Sequence, residues 1–183
     1  MRAHIREYLV SIAVTLSFAI LYGILEYYWI ITNRDVPFRY GHGPIFLGFY
    51  LYHLEIMFPL LTIVGCSSLI DDILGTSRVI EKAYTAALGA ATTLFSIMLE
   101  DITWFLCRTI DPLPLDPLAG KWIQPSDWTA RWSYVSIPGG ALPSWYIIVV
   151  LIAVLAWVAV LRHWSKQSFQ AFTSRSHFRE SKQ

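Results

Sequence analysis

Apolar residues dominate four long stretches of the chain, and polar residues gather in the segments between them. The stretches cover residues 8–31, 44–70, 83–107 and 143–161. Each is long enough to cross a bilayer as a helix, which takes about 20 residues. Helices of a soluble bundle would each need a polar face, which residues 147–160 lack. The pattern therefore predicts an all-α integral membrane protein, a four-helix bundle that forms a single domain over residues 1–183.

The composition agrees with a membrane location. Hydrophobic residues make up 55% of the chain, charged residues only 15%, and the mean hydropathy is +0.48, which is too apolar for an ordinary soluble domain. Arg2 and Arg6 precede the first stretch, as in a signal peptide, but its roughly 24 apolar residues exceed the usual core of about 7–15. We therefore predict a retained first helix, with membrane lipids as a partner and no nucleic acid.

The basic residues are distributed unevenly between the two sides that four spans would define. The side of the termini would hold Arg2, Arg6, Arg78, Lys82, Arg162, Lys166, Arg175, Arg179 and Lys182, and the other side Arg34, Arg39, Arg108, Lys121 and Arg131. The positive-inside rule then predicts both termini in the cytoplasm of a prokaryotic plasma membrane. The basic, aromatic tail 162–183 suits either a segment on the anionic inner leaflet or a solvated tail.

A long loop, residues 108–142, connects the third and fourth stretches on the predicted outer side. It combines chain-breaking residues, Pro112, Pro114, Pro117, Gly120, Pro125, Pro138, Gly139 and Gly140, with the aromatic residues Trp122, Trp128, Trp132 and Tyr134. So many aromatic residues would not stay in water, so disorder is not expected. Two interpretations remain open: a lid over the outer mouth of the bundle, and an aromatic belt at headgroup level.

Ionisable residues lie inside the apolar stretches, where each costs roughly 2.5–3.5 kcal/mol at a bilayer centre. With alternating helix directions and 1.5 Å per residue, Glu26, His53 and Glu100 reach a similar depth on the outer side. Each of the two glutamates lies towards the outer end of a stripe of small and hydroxyl residues, and such stripes let membrane helices approach closely. The stripes are Ser11, Thr15, Tyr22 and Glu26 in the first stretch, and Thr85, Gly89, Thr92, Ser96, Glu100 and Thr103 in the third. These patterns predict a shared polar site inside the bundle.

Three further residues are predicted around this site. Asp101 follows Glu100 but points about 100° away, so we expect a salt bridge from Asp101 to Arg108 or to an arginine of the long loop. Glu55 is two residues from His53 and faces another direction of the same helix. Together with Trp104, which shares the Asp101 stripe, these residues are expected to orient the groups that bind a ligand.

Four acids close to one histidine need protons, arginines or a metal ion to offset their repulsion. Carboxylates with an imidazole suit Zn²⁺, Fe or Mn²⁺, with Glu26, His53 and Glu100 as ligands. Glu100 is then the candidate for catalytic proton transfer. The Glu-x-x-His pair of di-iron bundles is missing, and one histidine within the spans leaves no pair for haem, so no haem is expected.

The run from Glu100 to Phe105, Glu-Asp-Ile-Thr-Trp-Phe, is followed by the proline- and tryptophan-rich loop. It resembles a Glu-Asp-x-x-Trp-Phe motif of uncharacterised small multi-pass prokaryotic membrane proteins, over about a quarter of the chain. The resemblance implies that Glu100, Asp101 and Trp104 act together with the loop. It implies no activity.

The sequence thus favours a protein that binds a metal ion or another cationic ligand in an outward-facing carboxylate and histidine pocket, with catalysis on a lipid-soluble or extracytoplasmic substrate as an extension. Two alternatives stay open. One is a proton-coupled transporter or channel, for which four helices would require a homo-oligomer. The other is an accessory subunit whose acids pair with a larger membrane complex.

Overall fold

The computed structural model describes residues 2–32, 79–114 and 116–180. These residues form three α-helices, α1 (Arg2–Thr32), α2 (Val79–Ile110) and α3 (Ser144–Glu180), and a hairpin of two antiparallel strands, β1 (Tyr134–Ile137) and β2 (Gly140–Pro143). Each helix contains a segment long and apolar enough to cross a membrane: Tyr8–Tyr28, Lys82–Ile110 and Ser144–His163. Three of the four predicted spans are thus present as helices. The span predicted at 44–70 lies outside the described residues.

The central helix is α2, which packs against both α1 and α3. Its membrane segment has a mean hydropathy of 1.3, against 2.1 in α1 and 2.6 in α3, because it carries the polar stripe. That stripe is buried as predicted, and its buried members include Thr85, Thr92, Ser96, Glu100 and Thr103. Leucine, isoleucine and valine side chains instead cover the exposed faces of α1 and α3, as expected for surfaces in contact with lipid.

The backbones of α1 and α2 come closest at Gly23. A Cβ atom at this position would overlap the main-chain carbonyl oxygen of Glu100 and lie 3.1 Å from the Cβ of Thr103. Only glycine fits there. This contact is one turn before Glu26, so the close approach of the two backbones also sets the separation of the Glu26 and Glu100 side chains.

Hydroxyl groups at this helix interface are bonded within their own helices. Thr15 donates to the carbonyl of Ser11, Ser96 to that of Thr92, and Thr103 to that of Leu99, at 2.7–2.8 Å. Such bonds remove the cost of burying a hydroxyl without a partner. The small side chains therefore serve close helix packing.

All three described helices extend beyond their predicted apolar spans, α1 and α3 the furthest. α1 begins at Arg2, and α3 continues past residue 161 to Glu180, so the tail predicted at 162–183 is largely a continuation of the last helix. At 1.5 Å per residue the 37 residues of α3 measure about 55 Å, well above a hydrocarbon thickness of about 30 Å. α2 ends at Ile110, because Pro112 disfavours helical backbone at Asp111.

Between α2 and α3 the long loop is folded back on itself. The hairpin turns at Gly139, whose φ of 83° favours glycine. On the other side of β2, the amide of Ala141 donates to the carbonyl of Ile123 at 2.7 Å. Gly140 allows this approach, because a Cβ there would overlap the Ile123 carbonyl oxygen. Ile123, Ala130 and Ala141 are buried and join the core cluster formed with Phe105 and Tyr146.

Candidate buried carboxyl site

The Glu26 and Glu100 side chains meet between α1 and α2. Glu26 is 6% exposed and Glu100 is 2% exposed, and the two carboxyl groups lie close enough to interact through their charges and through a hydrogen bond. Such a bond requires a proton on one of the two groups, since ionised carboxylates only accept. Two of the three residues predicted to share one level, Glu26 and Glu100, are thus buried together, and their role in a binding site stays a prediction.

Asp101 lies beside this pair and is held by three elements of the fold. Its Oδ2 atom accepts hydrogen bonds from Thr129 Oγ1 in the long loop and from the Tyr146 hydroxyl on α3, both at 2.9 Å. Thr129 Oγ1 in turn accepts a bond from Trp145 Nε1 at 3.1 Å. All of Asp101, Thr129 and Tyr146 are buried. The network therefore joins α2, α3 and the loop at a single carboxylate.

Arg108 does not pair with Asp101, so the first of the two partners predicted for Asp101 is wrong. Its guanidinium makes a bidentate pair with Asp127, with N–O distances of 2.9 and 2.6 Å. It also donates to the carbonyl oxygens of Lys121 and Trp122, each at 2.9 Å. The cation stacks over the Phe105 ring at 4.7 Å. Sequence spacing placed Arg108 two turns from Asp101, but a long side chain at a helix end reaches the following loop more easily.

The Arg108 contacts lock the loop onto the end of α2. Arg108 is 2% exposed and Asp127 is 8% exposed, so the pair is buried from solvent. The Asp127 carboxylate also accepts the amide of Gln124 at 2.6 Å, which shapes the turn that leads to Thr129. The ion pair thus positions the segment that supplies Thr129 to Asp101.

The lid interpretation holds for part of the loop only. Trp122 is partly buried and packs against Phe105, at 6.5 Å between ring centroids, and against the core cluster. Trp128 is also partly buried. Trp132 is 67% exposed, so the lid interpretation is wrong for this residue.

The remaining predicted residues are distributed as follows. Trp104 packs edge-on against Tyr27, at 5.3 Å between ring centroids, and the Arg108 guanidinium lies over its ring at 5.6 Å. These described contacts are at the end of the bundle and not with the acids. His53 and Glu55 lie outside the described residues. Among the residues that the structure describes, no group of three or more His, Cys, Asp and Glu side chains is arranged to hold a metal ion.

Sequence reasoning missed Thr129, Tyr146 and Asp127. Tyr146 is the third residue of α3, close to the polar end of the span, where a buried tyrosine hydroxyl can find a hydrogen-bond partner. This position could have been recognised from the sequence. Asp127 and Thr129 gave no periodic signal, because they lie in turns whose path depends on tertiary contacts.

Comparison with known proteins adds no assignment. No family model matches the chain, and neither a curated protein nor a solved structure shows significant similarity to it. A functional proposal for this chain therefore rests on the geometry of the site.

Proposed function

We propose that this chain is a four-helix membrane protein that binds a cation between α1 and α2, with Glu26 and Glu100 as ligands. His53, from the predicted span 44–70, would supply a third ligand. Zn²⁺, Fe²⁺ and Mn²⁺ are the candidate ions, because carboxylate and imidazole ligands suit them. The observation that carries the proposal is the buried contact between the two glutamate carboxyl groups.

The chemistry of that contact supports an exchange of a proton for a cation. Two ionised carboxylates at hydrogen-bonding distance repel strongly where few waters screen them, so one positive charge must lie between them. In the structure, a proton shared by the two carboxyl groups can supply this positive charge. A cation that both carboxylates bind replaces the proton, and binding should release it. Tyr22 lies close enough to both acids to feel their charge.

Asp101 would act as a positioning residue for Glu100. Its Oδ2 is already engaged by the Thr129 and Tyr146 hydroxyls, and it is adjacent to Glu100 on α2. It therefore ties the turn of α2 that carries Glu100 to the loop and to α3. If a substrate is turned over at this site, Glu100 is the residue proposed to transfer the proton.

A transport function has less support from the described residues. A proton relay between α1 and α2 would need hydroxyl groups that can hydrogen-bond to each other across the helix interface. The hydroxyls of Thr15, Ser96 and Thr103 instead donate to carbonyls of their own helices. These contacts instead favour binding of a cation at the end of the α1–α2 interface where Glu26 and Glu100 lie.

The test is cation binding by the full chain, purified into lipid nanodiscs. Adding Zn²⁺, Fe²⁺ or Mn²⁺ should give bound metal by elemental analysis and release of protons to a pH indicator. Glu26→Gln and Glu100→Gln should each abolish both signals, and Asp101→Asn should weaken affinity about 10–100-fold if it orients the ligand. Asp111→Asn is the matched control, since Asp111 is an exposed acid just after α2 that accepts a bond from Tyr28.

Two outcomes would contradict the proposal. One is wild-type protein that binds none of the three ions and gains no thermal stability from them. The other is equal loss of binding in Asp111→Asn and Glu100→Gln, which would indicate nonspecific binding to carboxylates.

The four-helix topology is part of the same proposal. We propose that both termini are cytoplasmic and that the loops 32–43 and 108–142 are outside, as the distribution of basic residues predicts. Single cysteines at Ser126 and Ser181, in a chain without Cys66 and Cys107, should react with membrane-impermeant reagents from opposite sides. Reaction of both from one side would show that α3 does not cross the membrane and would contradict the proposed topology.

A further inference from the structure

The β1 strand and the residue pair before it expose large apolar and aromatic side chains. Trp132 is 67% exposed, Tyr134 42% and Val135 47%. Successive residues of a strand point to opposite faces, and Tyr134, Val135 and Ser136 are all exposed. Both faces of β1 are therefore uncovered. A strand of this composition, open on two faces, is unfavourable in water.

The position of these residues along the membrane axis follows from hydrogen bonds. The amide of Ser144 donates to the carbonyl of Ser133 at 3.0 Å, and the hydroxyls of the same two residues are 2.9 Å apart. Ser144 is the first residue of the membrane segment of α3. In the hairpin register, Tyr134 is opposite Pro143. Trp132, Tyr134 and Val135 thus lie beside the point where α3 enters the membrane.

An apolar surface continues from this point along α3. Ile147 and Ile148, in the first turn of the helix and just beyond it, are exposed, as are most residues of the following turns that face away from α2. In a membrane these side chains contact lipid. The exposed hairpin side chains are therefore next to a lipid-facing surface, on the same end of the protein.

We propose that residues 131–136, here named the anchor segment, insert edge-on into the headgroup region of the lipid leaflet at the Ser144 end of α3. Edge-on insertion covers both faces of β1 at once. Tryptophan and tyrosine favour this zone, because their rings are apolar and their N–H and O–H groups still find partners there.

The backbone sets the depth of insertion. β1 is an edge strand of a two-stranded sheet, so one side of it presents backbone groups that β2 does not pair. Headgroups and water can bond these groups, whereas hydrocarbon cannot. The segment should therefore stop at the level of the headgroups and not enter the hydrocarbon.

Charge favours a lipid surface over a protein partner as the occupant. Arg131 is exposed and directly precedes Trp132, and Lys121 is also exposed on the long loop. Both cations suit lipid phosphates. The anchor would then fix the loop against the membrane through the continuous hairpin, independently of any cation bound at Glu26 and Glu100.

The test uses the intrinsic fluorescence of the full chain in nanodiscs of phosphatidylcholine and phosphatidylglycerol. Subtracting the emission of Trp132→Phe from that of the wild type isolates Trp132 among the 8 tryptophans. We expect a difference spectrum at shorter wavelength than that of tryptophan in water. It should lose most of its intensity with lipids brominated near the glycerol end of the acyl chain, and much less with bromines near the methyl end.

Trp122→Phe serves as the matched control, because Trp122 is partly buried against Phe105 and its difference signal should respond weakly to both lipids. A Trp132 signal at long wavelength that neither lipid quenches would place the segment in water and overturn the proposal. An unquenched signal at short wavelength would mean that protein, such as a second copy of the chain, covers it, and would overturn the proposal equally. Stronger quenching by the deep bromines would contradict the proposed depth.

Discussion

Replacing Gly23 by alanine should strongly destabilise the packing of α1 on α2. The added Cβ would overlap a main-chain carbonyl oxygen at Glu100, which cannot rotate away as a flexible side chain can. Overpacking of a tight interface typically costs about 1–3 kcal/mol, and a clash with backbone belongs at or above the upper end. The helices must separate to relieve it, so the Glu26–Glu100 contact one turn away should also be lost.

The measurement is thermal unfolding of the protein in mild detergent, followed by tryptophan fluorescence. Ala13→Val is the control, since Ala13 is exposed on the same helix and the added methyl groups meet lipid or detergent. We expect a large drop in melting temperature for Gly23→Ala and almost none for Ala13→Val. Equal stability of Gly23→Ala and the wild type would mean that the two backbones are farther apart than described here.

Breaking the Arg108–Asp127 pair should have the largest effect on the long loop. Removal of one partner of a buried ion pair leaves an uncompensated charge and costs about 3–5 kcal/mol. Arg108→Met would in addition remove the bonds to the Lys121 and Trp122 carbonyls. We therefore expect Arg108→Met and Asp127→Asn to release the loop from the end of α2, and the Thr129–Asp101 bond to be lost with it.

Limited proteolysis measures this release directly. Lys121 and Arg131 are exposed trypsin sites within the loop, and the bonds that follow them should become cleavable in Asp127→Asn while the wild type resists. The double variant Arg108→Met with Asp127→Leu should recover part of the thermal stability, because no unpaired charge remains buried. Ser126→Ala, at an exposed residue of the same loop, should melt like the wild type. A stable, protease-resistant Asp127→Asn variant would show that the ion pair does not hold the loop.

The two predictions separate different contributions to the site. Gly23→Ala acts on the distance between the helices that carry Glu26 and Glu100. Asp127→Asn acts on the loop that holds Asp101 through Thr129. If cation binding needs only the two glutamates, Asp127→Asn should retain most of the affinity in protein that remains folded, whereas Gly23→Ala should lose it.

Some features of this protein follow from the order of residues alone. Long apolar runs predict the helices around residues 8–31, 83–107 and 143–161, because in a bilayer every backbone group must be bonded within its segment. The helical period places Thr92, Ser96 and Glu100 on one face, and these three residues are buried in the structure. The juxtaposition of Glu26 and Glu100 follows as well, since the depth of a residue in a straight helix is set by its position in the span.

Other features depend on contacts between segments far apart in the chain. Asp101 could equally have met an arginine, and its actual partners, Thr129 and Tyr146, come together only when the loop folds back across the bundle. Arg108 selects Asp127 because the loop returns to it with two carbonyls and a carboxylate in place. Hydropathy determines which segments enter the membrane. Hydrogen bonding and charge pairing among irregular segments carry no sequence period, so only the tertiary structure decides which polar groups close the site.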